Sequence, residues 1–253
     1  MTLNLKGLKI TWIGFLLTLI GSVVSGIGAP RSNGAVVGTT SAGTVIGVIL
    51  SIVAVILIIV GLSMIKDISD HYRKARNYQI IQLIVAIVFV ALAMGMVAAN
   101  LSTGRGPGAG FIVLCIVMVV ILAVFAILFY RHLLQGCEAT AVYAGDDNLA
   151  EKCRKLWKLY IVGFIIAIAG VIVLFIGLGA AINRIIPSMT SALMATSAMI
   201  RSMAPGMVIV GVGAVIMLVF TILLLIRMAK ICSFDGKVIE NSTTKENVDV
   251  ENI

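Results

Sequence analysis

The chain has 253 residues, of which 60% are apolar and 12% charged, with a formal net charge of +8. Soluble domains carry about 25% charged residues, and this chain has too few polar side chains to cover a water-facing shell. A soluble fold is excluded, and lipid is the solvent for most of the surface.

Six apolar stretches are long enough to cross about 30 Å of hydrocarbon as helices. The first covers about 10–29. Lys6 and Lys9 ahead of it give it the form of a secretory signal, and Ser22 to Gly28 offers small residues for cleavage. The apolar run is longer than the roughly 7–15 residues of a signal core, so it reads as a span. Span 2, 43–65, carries Gly43, Gly47 and Ser51 four residues apart. Small residues at that spacing form a shallow groove in which another helix can approach closely. After it come Lys66, Arg73, Lys74 and Arg76, with Asp67, Asp70 and His71 placed to share one helical face. Such a face could hold a phosphoryl group or a metal; a solvated helix at the membrane surface is the expected reading.

Span 3, 79–100, carries a second ladder of Ala91, Gly95 and Ala99. The glycine-rich stretch from Gly104 to Gly110 lacks the Gly-Lys-Ser/Thr ending of a phosphate loop and reads as a turn. Asn100-Leu101-Ser102 is a sequon too near the membrane to carry weight. Span 4, 109–130, contains Cys115. The connection to span 5 is expected to be helical, opened by a capping box from Asn148 to Glu151. Lys152, Arg154, Lys155 and Lys158 then form a basic cluster, with Trp157 and Tyr160 at headgroup depth. Its expected partner is anionic lipid, at about 1 kcal/mol per charge near the surface.

Span 5, 159–182, continues the small-residue theme with Gly163 and Ala167, then Gly177 and Ala181. The following connection, Asn183 to Pro205, is methionine-rich. Met189, Leu193, Ile200, Met203 and Met207 fall with Ile186 on one helical stripe, broken by Ser197. This predicts a helix lying in the outer interface. Thioethers can bind Cu(I), but no His or Cys is nearby, so packing, a lid or a subunit contact is favoured. Span 6 covers 206–229, and 233–253 reads as a polar, disordered tail.

The basic residues set an orientation. Fifteen lie before span 1, between spans 2 and 3, between spans 4 and 5, and at or after the inner end of span 6, where Arg227 sits; only Arg31, Arg105, Arg184 and Arg201 lie in the other connections. Lys and Arg are retained in the cytoplasm, so both ends are expected there. All 11 acidic residues fall on the same side, and Pro30, Pro107, Pro187 and Pro205 on the opposite one. The expected fold is all-α and integral to the plasma membrane, with 1–232 forming six spans as three tandem αα-hairpins.

The first and last hairpins resemble each other. At an offset of 149, Gly14, Gly21 and Gly28 match Gly163, Gly170 and Gly177; at 164, Gly47 matches Gly211, Met64 matches Met228 and Lys66 matches Lys230. Parallel repeats of this kind differ from the inverted ones common in coupled transporters.

No span holds an ionisable residue in its interior, which argues against ion-coupled transport. No His lies within a span, which argues against a hydrolase there. Cys137, Cys153, Cys232, His71 and His132 lack the paired spacing of structural zinc ligands. No cofactor, metal or nucleic-acid partner is expected. Two readings remain: a non-catalytic scaffold or subunit of a membrane complex, including a homo-oligomer, and an oligomeric channel or passive permease for a small neutral or anionic solute.

Overall fold

The computed structural model describes residues 3–27, 42–102, 109–185 and 192–236, and among them every regular element is helical. In chain order these are α1 (Lys6–Ile27), α2 (Ala42–Met64), α3 (Asp70–Ser102), α4 (Ala109–Tyr143), α5 (Asp147–Ile185) and α6 (Ala192–Cys232). Each contains a stretch long and apolar enough to cross a membrane. The six expected spans are therefore present as helices.

The last four helices are longer than the apolar runs inside them. They have 33, 35, 39 and 41 residues, or about 50–62 Å at 1.5 Å per residue, against about 30 Å of hydrocarbon. The polar connections have been taken into the helices, which are therefore longer than the hydrocarbon core of a bilayer is thick. The stretch from Leu193 to Met203 is not a separate interfacial helix, because it forms the first turns of α6. Pro205 lies inside that helix rather than in a connection. A proline costs its own amide bond, but the remaining ladder continues on either side of it. Met189 lies outside the described residues.

Between α4 and α5 only three residues intervene, and their hydrogen bonds end one helix and start the next. The Asp146 amide donates to Ala141 O at 3.0 Å and the Gly145 amide to Val142 O at 2.9 Å. Those two bonds, with Gly145 at φ 74°, make the Schellman ending in which glycine takes the left-handed position without a Cβ clash. Asp146 then starts α5: its Oδ1 accepts the Leu149 amide at 2.8 Å. The cap expected at Asn148 is thus supplied two residues earlier. At the start of α3 the Ser69 hydroxyl accepts the His71 amide at 3.3 Å, and Asp67 lies in the preceding turn. The shared face expected for Asp67, Asp70 and His71 does not form.

Contacts divide the chain into two units, residues 1–154 with 225–253 and residues 155–224. In the first, the fully covered side chains gather at the end that carries the basic residues: Leu5, Leu8, Leu62, Ile65, Tyr72, Leu133, Met228 and Ile231. Farther along the same helices, large apolar groups such as Ile49, Ile52, Ile87 and Met94 are more than half exposed. In water that exposure would be untenable; in lipid it costs nothing. The core of this unit is therefore at its charged end. In the second unit Tyr160 is buried, 1% exposed, with its ring centre 5.0 Å from Phe220. Tyr160 is a packing residue there.

Candidate functional site

Glycine and other small residues fix how α1 meets α2. Gly7, Gly14 and Gly21 recur every seventh residue on α1, as do Gly47, Ala54 and Gly61 on α2. The two rows meet in antiparallel register, Gly7 against Gly61, Gly14 against Ala54, Gly21 against Gly47. A Cβ added to Gly14 would stand 2.7 Å from Ile58 and 2.9 Å from the Ala54 carbonyl. Seven residues are nearly two turns, so such a row stays on one face and allows the backbones to approach closely. Of the expected ladder on α2, Gly47 and Ser51 face Gly21, and Gly43 lies half-exposed beyond them. The opposing row on α1 was not read as a ladder, because its step is seven rather than four.

A related seam joins α5 to α6. A Cβ on Gly170 would meet the Val210 amide nitrogen at 2.6 Å, and one on Gly213 would meet Ala167 Cα at 2.9 Å. Gly163 faces Ile216 and Met217, and Gly206 faces Leu174. Gly163 and Ala167 are thus packing residues. Gly177 is half-exposed, and the side chain of Ala181 lies outside the described residues. The sequence repeat holds in the first half and slips in the second. Gly14 and Gly163, and Gly21 and Gly170, occupy the same place in their seams. Gly211, matched to Gly47 by sequence, has nothing within 4 Å. Val210, one residue or about 100° around the helix, takes Gly47's place.

Among the described residues the third ladder faces no neighbouring helix. Ala91 is exposed, and a Cβ on Gly95 would meet nothing within 4 Å; the Ala99 side chain lies outside the described residues. The Leu193, Ile200 and Met203 side chains also lie outside them, and Met207 is 49% exposed.

The charged end is cross-braced by three carboxylates that sequence reasoning passed over. Asp235, in the turn after α6, accepts the Leu5 amide at 2.8 Å and Lys9 Nζ at 2.7 Å. The neighbouring Gly236 amide donates to Leu3 O at 2.9 Å. The tail expected from Ser233 onward is thus held as far as Gly236; residues 237–253 lie outside the described part. Asp146 takes Lys230 Nζ at 2.9 Å besides capping α5. Glu138 is held by the Arg154 guanidinium. Lysine and backbone donors hold the carboxyls of Asp235 and Asp146 below the usual aspartate range. These bridges are exposed, so each is worth little alone; their effect is to tie α1, α4, α5 and α6 at one end. The Trp12 indole adds a donor to Leu225 O at 2.9 Å.

This bracing divides the basic cluster. Arg154 is engaged by Glu138, and Lys155 also has an interaction within the chain. Lys152 and Lys158 are exposed. Cys137, Cys153 and Cys232 are buried free thiols, and among the described residues no three His, Cys, Asp or Glu side chains are placed to hold a metal. The Cys115 side chain is outside the described residues.

Between α3 and α4 the contact is polar and aromatic. The Tyr72 hydroxyl and Thr140 Oγ1 are 2.9 Å apart, both buried, and Thr140 also donates to Gly136 O at 2.8 Å. A Cβ on Gly136 would stand 2.6 Å from the Tyr72 ring. Rings of Phe125, Tyr78, His132 and His71 follow one another across the two helices. No protein-family model matches the chain, and no curated protein and no solved structure matches it either.

Proposed function

We propose that this chain is a non-catalytic, multi-pass scaffold or subunit of a larger membrane complex, built as three tandem αα-hairpins with both termini in the cytoplasm. One observation carries the reading. Two small-residue seams close within the chain, α1 on α2 and α5 on α6, whereas among the described residues Ala91 and Gly95 of α3 are exposed and a Cβ on Gly95 would meet nothing within 4 Å. Small residues favour close helix approach, and the partner for this ladder is a second copy or another membrane subunit in the plasma membrane. The basic residues support the orientation, and exposed Lys152 and Lys158 suit anionic headgroups on the cytoplasmic leaflet.

The test is purification in mild detergent with mass determination, for wild type and Gly95→Leu. The scaffold reading expects wild type to run as an oligomer or with a copurifying membrane protein, and Gly95→Leu to lose that partner while remaining folded. A monomeric wild type that copurifies with nothing would overturn it. Selective solute flux in liposomes would replace it with the channel reading.

A further inference from the structure

Two histidines that the scaffold reading leaves unused face each other across α3 and α4. His71 Nδ1 and His132 Nδ1 are 3.5 Å apart, while their ring centres are 5.8 Å apart and the planes are inclined by only 21°. The second separation exceeds the first by the two ring radii, so both nitrogens lie close to the line joining the ring centres. The rings therefore meet edge to edge, nitrogen to nitrogen, rather than face over face. Tyr78 lies against His132, with ring centres 5.5 Å apart and planes 9° apart. His71 opens on an indentation of about 350 Å³ lined by Gln135, Glu138, Ala139, Val142 and Tyr143.

A neutral imidazole carries one donor and one acceptor nitrogen, and an imidazolium carries two donors. Facing Nδ1 atoms are compatible as long as only one of them bears hydrogen. The neutral pair meets that condition. So does the pair with one added proton, in which the imidazolium Nδ1–H points at the bare nitrogen of its neighbour. A doubly charged pair does not, because two N–H groups would then point at each other across 3.5 Å. We propose that His71 and His132 form a one-proton latch between α3 and α4: closed, the pair accepts a single proton, and the second binds only once the rings part.

The surroundings reinforce this limit. Lys74 on α3 and Arg131 on α4 are the cations acting against a charged His132, while the Gln135 side chain beside it favours one. Glu138, the anion lining the indentation on α4, is already engaged by Arg154 of α5. No free carboxylate among these neighbours compensates a second charge. Histidine is the side chain whose ordinary titration falls between about pH 5 and 8, so acidification of the face bearing this pair would be read as separation of α3 from α4. The inference rests on the ring geometry alone and stands whether or not the scaffold reading does.

Histidine-selective ¹⁵N NMR on the full-length protein in detergent micelles tests it directly, because the two histidines are the only ones in the chain. The expected titration has two steps, separated by more than a tenfold change in proton concentration, as for sites coupled beyond about one pK unit. Amide exchange in 131–143 should accelerate only below the second step. His71→Gln should merge the behaviour of His132 into one simple step, and His132→Gln should do the same for His71. The wild-type titration is decisive even if a variant fails to fold. A single shared midpoint, or exchange unchanged through the second step, would overturn the latch. So would stoichiometric Zn²⁺ binding to both rings at neutral pH, which would make the pair a metal chelate instead.

Discussion

The α1–α2 and α3–α4 contacts solve one problem in opposite ways. The first brings backbones together by omitting side chains, with Gly7, Gly14 and Gly21 set against Gly61, Ala54 and Gly47. The second fills the space with rings and a buried hydroxyl pair, Tyr72 with Thr140. Lipid-exposed helices gain little from apolar burial, since tails are as apolar as leucine. What is left to hold them is close packing or specific polar contact, and this chain uses each in a different place. The glycine seam should therefore be intolerant of volume, and the aromatic contact intolerant of losing one polar partner.

The largest effect is expected at the seam. Gly61→Leu should destabilise by about 3 kcal/mol or more, since added methylenes in a packed site cost about 1–3 kcal/mol even where neighbours can shift, and here a backbone carbonyl faces them. Reversible unfolding in mixed micelles would measure it; a cost below that of an exposed-site control such as Gly211→Leu, where a Cβ meets nothing within 4 Å, would break the comparison. Next come the hydroxyl partners. Thr140→Val leaves the buried Tyr72 hydroxyl with only the Cys137 thiol, a weak partner, a cost of about 1–3 kcal/mol, whereas Tyr72→Phe leaves Thr140 still bonded to Gly136 O and should cost about 1 kcal/mol. The same unfolding assay should rank Thr140→Val as the worse, and the reverse order would show that ring packing decides this contact.

A smaller effect should appear with pH. The Asp235 and Asp146 carboxyls titrate below their ordinary 3.8. A group depressed in the folded state contributes stability above its unfolded value, and that contribution is lost as pH falls through the folded one. Midpoint temperature should thus fall on acidification below about pH 4, and Asp235→Asn should flatten that fall; an unchanged slope would show that the bridge adds nothing. The smallest effect is a near-zero one. Gly211→Ala should be neutral by the same unfolding measurement while Gly47→Ala is not, which checks the one-residue slip between the two seams.

Spacing made the helices and part of the seams visible in the sequence. Apolar runs of twenty residues are unambiguous, and Gly47 and Gly163 were found because small residues four apart signal close approach. The row Gly7, Gly14 and Gly21 was missed as a ladder because its sevenfold step was noticed only through its match to α5. The match of Gly47 to Gly211 misled because a shift of one residue is cheap in aliphatic sequence and costs about 100° of rotation. The α4–α5 turn was legible in principle, as Gly145 followed by Asp146 is a helix ending followed by a cap. The link from Asp235 to Leu5 was not, since nothing local to either residue names a partner 230 positions away.

That link also bears on how the protein is made. The opening amides of α1 are served by Asn4 and by Asp235, and Asp235 follows the last helix. While the chain is being synthesised, the first helix must wait through the production of every other helix before its end is closed. A chain stopped anywhere ahead of Asp235 would leave that end open, so closure of the start of α1 reports that translation has passed α6.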